Sequence, residues 1–178
     1  MIRLFAALAI PPSIGTPLMS RQHGLPGARW RPLEALHVTL RFFGDLREDV
    51  ARDLDDALAD VSGPALELEL QGVGAFGEGA EIHAVWAGVS DNAALSQIAA
   101  RCESAARRAG LAPETRNYLP HVTLAYLRRP DPAQVAAWIQ ANNLLKSPPF
   151  EIGRFGLYSS WRTAEGSRYR LEREYMLG

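Results

Sequence analysis

The apolar run IRLFAALAI, residues 2–10, ends at Pro11-Pro12 and predicts a buried first strand. PPSIGTPLM can then open a short helix, because proline is tolerated in a first helical turn. The glycines and prolines of HGLPGARWRP predict a loop. LHVTLRFFG, rich in β-branched and aromatic residues, predicts a second strand. The period then changes. Leu46, Val50, Leu54, Ala57, Leu58 and Val61 recur at steps of three and four, so residues 46 to 61 predict an amphipathic helix that ends before Gly63-Pro64.

ALELELQGV alternates Leu66, Leu68 and Leu70 with Glu67, Glu69 and Gln71, which predicts a half-buried strand, and EIHAVWAGV is its expected neighbour across a glycine-rich turn. Asp91 is placed to cap a helix whose buried stripe is Leu95, Ile98, Ala99, Cys102, Ala105 and Ala106, closed by Gly110. HVTLAYL predicts a further strand. Asp131-Pro132 supplies a cap and a first-turn proline for a helix through Val135 and Ile139. FEIGRFGLYSS and SRYRLEREYML predict two closing strands separated by the turn WRTAEG. Consecutive strands favour antiparallel pairing, and the helices are interspersed, so the fold class is α+β. No long linker divides the chain, and its 178 residues suit one compact unit, residues 1–178.

Composition narrows the picture little. A hydrophobic share of 47% and a charged share of 22% are those of an ordinary globular protein, and a formal charge of −1 argues against a broad basic face for duplex nucleic acid. Of the 19 basic residues only Lys146 is lysine. Codon bias accounts for most of that, so only clustered arginines carry functional weight. Cys102 is the sole cysteine, which excludes an intrachain disulfide and makes a cytoplasmic setting the default. The opening apolar run is too short for a membrane span and lacks the order of a signal peptide.

Four histidines are present, and two of them head the same tetrapeptide: HVTL begins at His37 and again at His121, about half the chain apart. On a strand, residues i and i+2 share a face. His37 and Thr39 therefore point together, as do His121 and Thr123, while Val38, Leu40, Val122 and Leu124 face a core. Polar faces of this kind need partners. If two related lobes bring the strands together, the group of two imidazoles and two hydroxyls suits a phosphodiester. One neutral histidine takes a proton from water, a protonated one gives a proton to the departing alkoxide, and the threonines donate to phosphate oxygens. An unperturbed value near ~6.5 lets both protonation states coexist at neutral pH. No metal is expected, since neither motif carries a carboxylate or cysteine at ligand spacing. His23 and His83 are assigned to the surface.

At these motifs the chain resembles the two-histidine phosphoesterase superfamily, and within it the RNA 2′,3′-cyclic phosphodiesterases, also called 2′-5′ RNA ligases. RLFAALAIPP, RWRPLEALHVTLRFFGDL, IHAVWAGV, YLPHVTLAYL and FGLYSSWRTAEGSRYRLE carry the likeness. The resemblance implies two pseudo-symmetric lobes with antiparallel sheets facing a central cleft and helices outside. It implies metal-independent, cofactor-free opening of a cyclic phosphate at RNA or oligonucleotide ends to a 2′-phosphomonoester. It makes His37 and His121 the acid and base, in an order left open, and Thr39 and Thr123 the phosphate holders. The arginine usual in H-x-T-x-x-R is here Tyr126. Arg128 is therefore the expected phosphate contact, and Arg41 is expected on the face of His37. Phe42, Tyr126 and Trp161, with Trp30 and Tyr158, are candidates for stacking on a base. Reversible 2′-5′ joining of RNA ends, cleavage of 2′-5′ oligoadenylate and phosphate binding without turnover are the competing expectations. No membrane contact is expected, and the protein is expected to be a monomer.

Overall fold

The computed structural model describes all 178 residues. Strand β1 (Ile2–Ala9) leads into helix α1 (Pro12–Met19), the short strand β2 (Arg29–Trp30) and strand β3 (His37–Leu46). Helix α2 (Glu48–Ala59) is followed by β4 (Leu66–Leu68), β5 (Leu70–Phe76) and β6 (Ala84–Val89). Helix α3 (Ala93–Arg108), β7 (His121–Tyr126), α4 (Pro132–Asn142), β8 (Phe150–Ile152), β9 (Arg154–Thr163) and β10 (Gly166–Met176) complete the chain. The architecture is α+β, as the element order predicts. No helix is long and apolar enough to cross a membrane.

The main sheet runs β10-β9-β1-β3-β7-β6-β5, with β2 also paired to β7, and every pairing is antiparallel. Its centre is nearly unzipped. β3 and β7 share only the Val38–Val122 pair, whereas β1 pairs with β3 along most of its length. The sheet is thus two half-sheets, β10-β9-β1-β3 and β7-β6-β5, joined at one point. Val38 and Val122 are equivalent residues of the two HVTL copies, so a local two-fold axis passes between them. Both are fully buried, as are Leu40 and Leu124, beneath the helix layer in which α3 packs on β3. That burial leaves the opposite face of each strand, bearing histidine and threonine, turned away from the helix layer.

Several local expectations are corrected. The predicted strand ALELELQGV is two strands in two sheets: β4 pairs with β8, and β5 joins the main sheet. FEIGRFGLYSS divides in the same way at Gly153, between β8 and β9. An apolar alternation records which face is buried and not which strand lies alongside, so it passes through the switch unchanged. RWRP is not all loop, because Arg29 and Trp30 pair with Tyr126 and Ala125. The α3 cap is Asn92, whose side chain accepts from the Leu95 N–H at 2.9 Å, rather than Asp91. Leu46 ends β3 instead of opening α2. The last hairpin is tighter than WRTAEG, with Trp161 to Thr163 still in β9 and Gly166 at φ +114° closing the turn.

Candidate active site

Both half-sheets carry the same irregularity. In β3, Thr39 pairs with Ala7 and Arg41 with Ala6, leaving Leu40 as an extra residue; in β7, Thr123 pairs with Trp86 and Ala125 with Val85, leaving Leu124 extra. These are β-bulges at the fourth residue of HVTL. They reverse the side-chain alternation that follows. Arg41 is therefore turned away from His37 and Thr39, and its Nε donates to Glu103 Oε2 of α3 at 2.6 Å. The expectation that Arg41 shares their face fails for this reason. The same reversal returns the residue five positions after each histidine to the cavity face, Phe42 in one half and Tyr126 in the other.

His37, Thr39, His121 and Thr123 line one cavity of about 140 Å³. Each imidazole is held by the backbone two residues before it. His121 Nδ1 faces the Leu119 oxygen at 2.7 Å, and the Ala35 backbone plays the corresponding part for His37. A carbonyl only accepts, so His121 Nδ1 carries a proton and its Nε2 is left to act on a ligand. Aromatic rings back both sites: Phe5 stacks on His37 at 5.0 Å with Tyr169 edge-on at 5.3 Å, and Phe76 meets His121 edge-on at 4.7 Å. Tyr118 Oη donates to the Thr39 carbonyl at 2.9 Å, tying the loop before β7 to β3.

Burial is the main reason that both imidazoles are poor proton acceptors. It pushes His37 down to about 4; the Ala35 backbone opposes it, and the positive charges of Arg31 and His121 add to it. His121 is lowered by burial, against the pull of the Leu119 carbonyl. The consequence for stability has a definite sign. Folded His37 stays neutral down to about pH 4, whereas in the unfolded chain it protonates near 6.5, so stability is full above 6.5 and declines as pH falls from there toward 4. Denaturant melts across this range should show the decline, and His37→Asn should flatten it. A His37 ring that titrates near 6.5 by NMR would contradict the burial argument.

The remaining cavity wall departs from the sequence expectation. Tyr126 lines it, together with Ala35, Arg31 and Tyr169, and neither of the last two stands out in the sequence. The one local signal for Arg31 is the alternation Arg-Trp-Arg, which fits a short strand with Trp30 inward. Tyr169 gives no such signal, because it reaches the cavity from the edge strand β10. Arg128 is exposed beyond the end of β7 and does not line the cavity. Phe42 is on the cavity side but outside the lining, 45% exposed. Tyr158 stands behind His37, stacked on Phe5 at 5.4 Å, and Trp30 packs against the buried Trp138. Trp161 lies on a strand and not in a turn, at odd spacing from Tyr158, and so points to the opposite face. His23 and His83 are exposed, as expected.

Comparison with known proteins bears on the whole arrangement. An RNA 2′,3′-cyclic phosphodiesterase of Archaeoglobus fulgidus is 26% identical over 172 residues, covering 95% of this chain and 97% of its own. Among solved structures, E. coli LigT complexed with 3′-AMP superposes with a TM-score of 0.78 at 25% identity, over 99% of this chain and 98% of that one. A protein of Thermus thermophilus shares the fold at a TM-score of 0.79 and 19% identity, over 98% and 97% of the two chains. The family model described as the 2′-5′ RNA ligase superfamily matches residues 11–163, and the chain belongs to that superfamily.

Proposed function

We propose that this protein is an RNA 2′,3′-cyclic phosphodiesterase that opens terminal cyclic phosphates to 2′-phosphomonoesters. The observation that carries this reading is the convergence of two H-x-T strand faces, one from each half-sheet, on one cavity. In-line displacement at phosphorus puts the attacking and leaving oxygens on opposite sides, and a two-fold arrangement offers an imidazole to each. One histidine accepts a proton at Nε2 as water oxygen bonds to phosphorus. The other, protonated, gives its proton to O3′ as the P–O3′ bond breaks. The two exchange protons with solvent to reset. Thr39 and Thr123 donate to the non-bridging oxygens. The bound phosphate's negative charge raises the proton affinity that burial has lowered, which lets an imidazolium form within the complex.

The steps so drawn use only imidazole and hydroxyl groups, and two imidazoles by themselves leave a zinc ion short of ligands, which supports reading the reaction as metal-independent. The site draws on both half-sheets, which supports reading residues 1–178 as one functional unit that works as a monomer. A 5′-hydroxyl in place of the attacking water follows the same steps: P–O5′ forms as P–O3′ breaks and O3′ takes the proton, giving 2′-5′ joining, with the abundance of water favouring hydrolysis. The test is phosphorus NMR of the protein with 2′,3′-cyclic AMP and with RNA bearing a cyclic end, in the presence of a chelator. Conversion to the 2′-monoester is expected. A shifted but unconverted cyclic signal would reduce the protein to a binder of terminal phosphates.

A further inference from the structure

Arg31 is the one arginine or lysine lining the cavity, and it is only 7% exposed. No carboxylate lies within ion-pair distance of it. Its guanidinium finds a single protein acceptor, the Ser167 carbonyl, 3.2 Å from Nη2. Otherwise it is held over two tyrosine rings, with Cζ 5.5 Å from the centre of Tyr126 and 5.3 Å from that of Tyr169. Its backbone is fixed as well: the Arg31 N–H donates to the Leu124 carbonyl at 2.8 Å, and Gln22 Nε2 donates to the Arg31 carbonyl at 2.9 Å.

A buried cation without a counter-ion is costly unless an anion completes it. Aromatic faces offset part of that cost and orient the planar fork, but they do not use its N–H donors. We propose that Arg31 is the phosphate-binding cation of this site, delivering a bidentate contact to the anion that the two histidines and two threonines surround. The inference rests on the hydrolase reading for its choice of substrate. Tyr126 and Tyr169 position the guanidinium, and the pairing of β2 with β7, continued by the Arg31 N–H bond to Leu124, brings the residue to the cavity.

The wild type, Arg31→Met, Arg31→Lys and the double variant Arg31→Met with Tyr126→Arg are compared. Binding of 2′-AMP is measured by calorimetry, turnover of 2′,3′-cyclic AMP by kcat and KM, and folding by thermal melts. Arg31→Met keeps the aliphatic stem and should weaken 2′-AMP by about tenfold to a hundredfold. It should also lower kcat/KM by about 10²–10³-fold. Arg31→Lys should lose less than Arg31→Met, since it keeps the charge without the fork. Residue 126 faces the same cavity from the adjoining strand, so an arginine there should recover part of the loss.

Binding and turnover in Arg31→Met within about threefold of wild type would overturn the assignment, as would Arg31→Lys behaving no better than Arg31→Met. If Arg31→Met melts below the assay temperature, Arg31→Lys against wild type carries the test, and equal kcat/KM overturns it. Failure of the two ideas separates cleanly. A wild type that binds 2′-AMP through Arg31 but leaves the cyclic ester intact defeats the hydrolase reading alone, and hydrolysis indifferent to Arg31 defeats this one alone.

Discussion

His37→Ala and His121→Ala are each expected to lower kcat for 2′,3′-cyclic AMP by about 10²–10⁴-fold, the range for loss of one positioned acid or base. KM should change far less, because the threonines and Arg31, the proposed phosphate contacts, remain in place. The double variant should fall by much less than the product of the single losses. In the proposed mechanism, proton removal from water and proton delivery to the leaving oxygen belong to one transition state, so removing either group already disables it. Folding should survive, because the imidazoles border the cavity and the side chains that bind the half-sheets to the helix layer are Val38, Leu40, Val122 and Leu124. Circular dichroism melts of each variant check that point. Turnover should also follow a bell-shaped pH dependence in the wild type and lose one limb in each single variant. Wild-type kcat in either alanine variant would remove the paired proton transfer from the mechanism.

The four residues at the centre of this prediction are legible in the sequence because their signal is local. Histidine and threonine two apart on a strand share a face, and a second copy half a chain away makes accident a poor explanation. What surrounds them depends on long-range pairing, which periodicity does not report. Arg31 sits just past the end of a two-residue strand whose existence depends on β7, and Tyr169 enters from a strand three places away from β3 in the sheet. The bulges at Leu40 and Leu124 are also invisible, since an extra residue in one strand is defined only by what lies opposite. That is why simple alternation puts Arg41 in the cavity, whereas it stands against Glu103. Trp161 is misplaced by a related ambiguity: turn-forming residues begin only at Ala164, and the register of β9 on β10 decides its face. The core positions of α2 and α3 are readable throughout, because a helix declares its buried stripe within its own period.

The pseudo-two-fold axis makes a sharper demand on the threonines. Thr39→Val and Thr123→Val each exchange a hydroxyl for a methyl with little change of shape, and each is expected to lower kcat/KM for the cyclic nucleotide by about 10²-fold, with a larger loss in the double variant. Thr→Ser at either position keeps the donor and should stay close to wild type. If phosphorus lies on the axis that passes between Val38 and Val122, the two hydroxyls meet equivalent non-bridging oxygens and the single losses should match within an order of magnitude. Arg31 breaks the symmetry, because it has no counterpart in the other half: the residue 84 positions on is Thr115, in the loop before β7 and not in the cavity. A phosphate drawn toward Arg31 would lean on one threonine more than the other, and the ratio of the two losses therefore measures its displacement from the axis. Full activity in both single variants and in the double would show that the hydroxyls contact no developing charge, leaving the second half of H-x-T to packing alone.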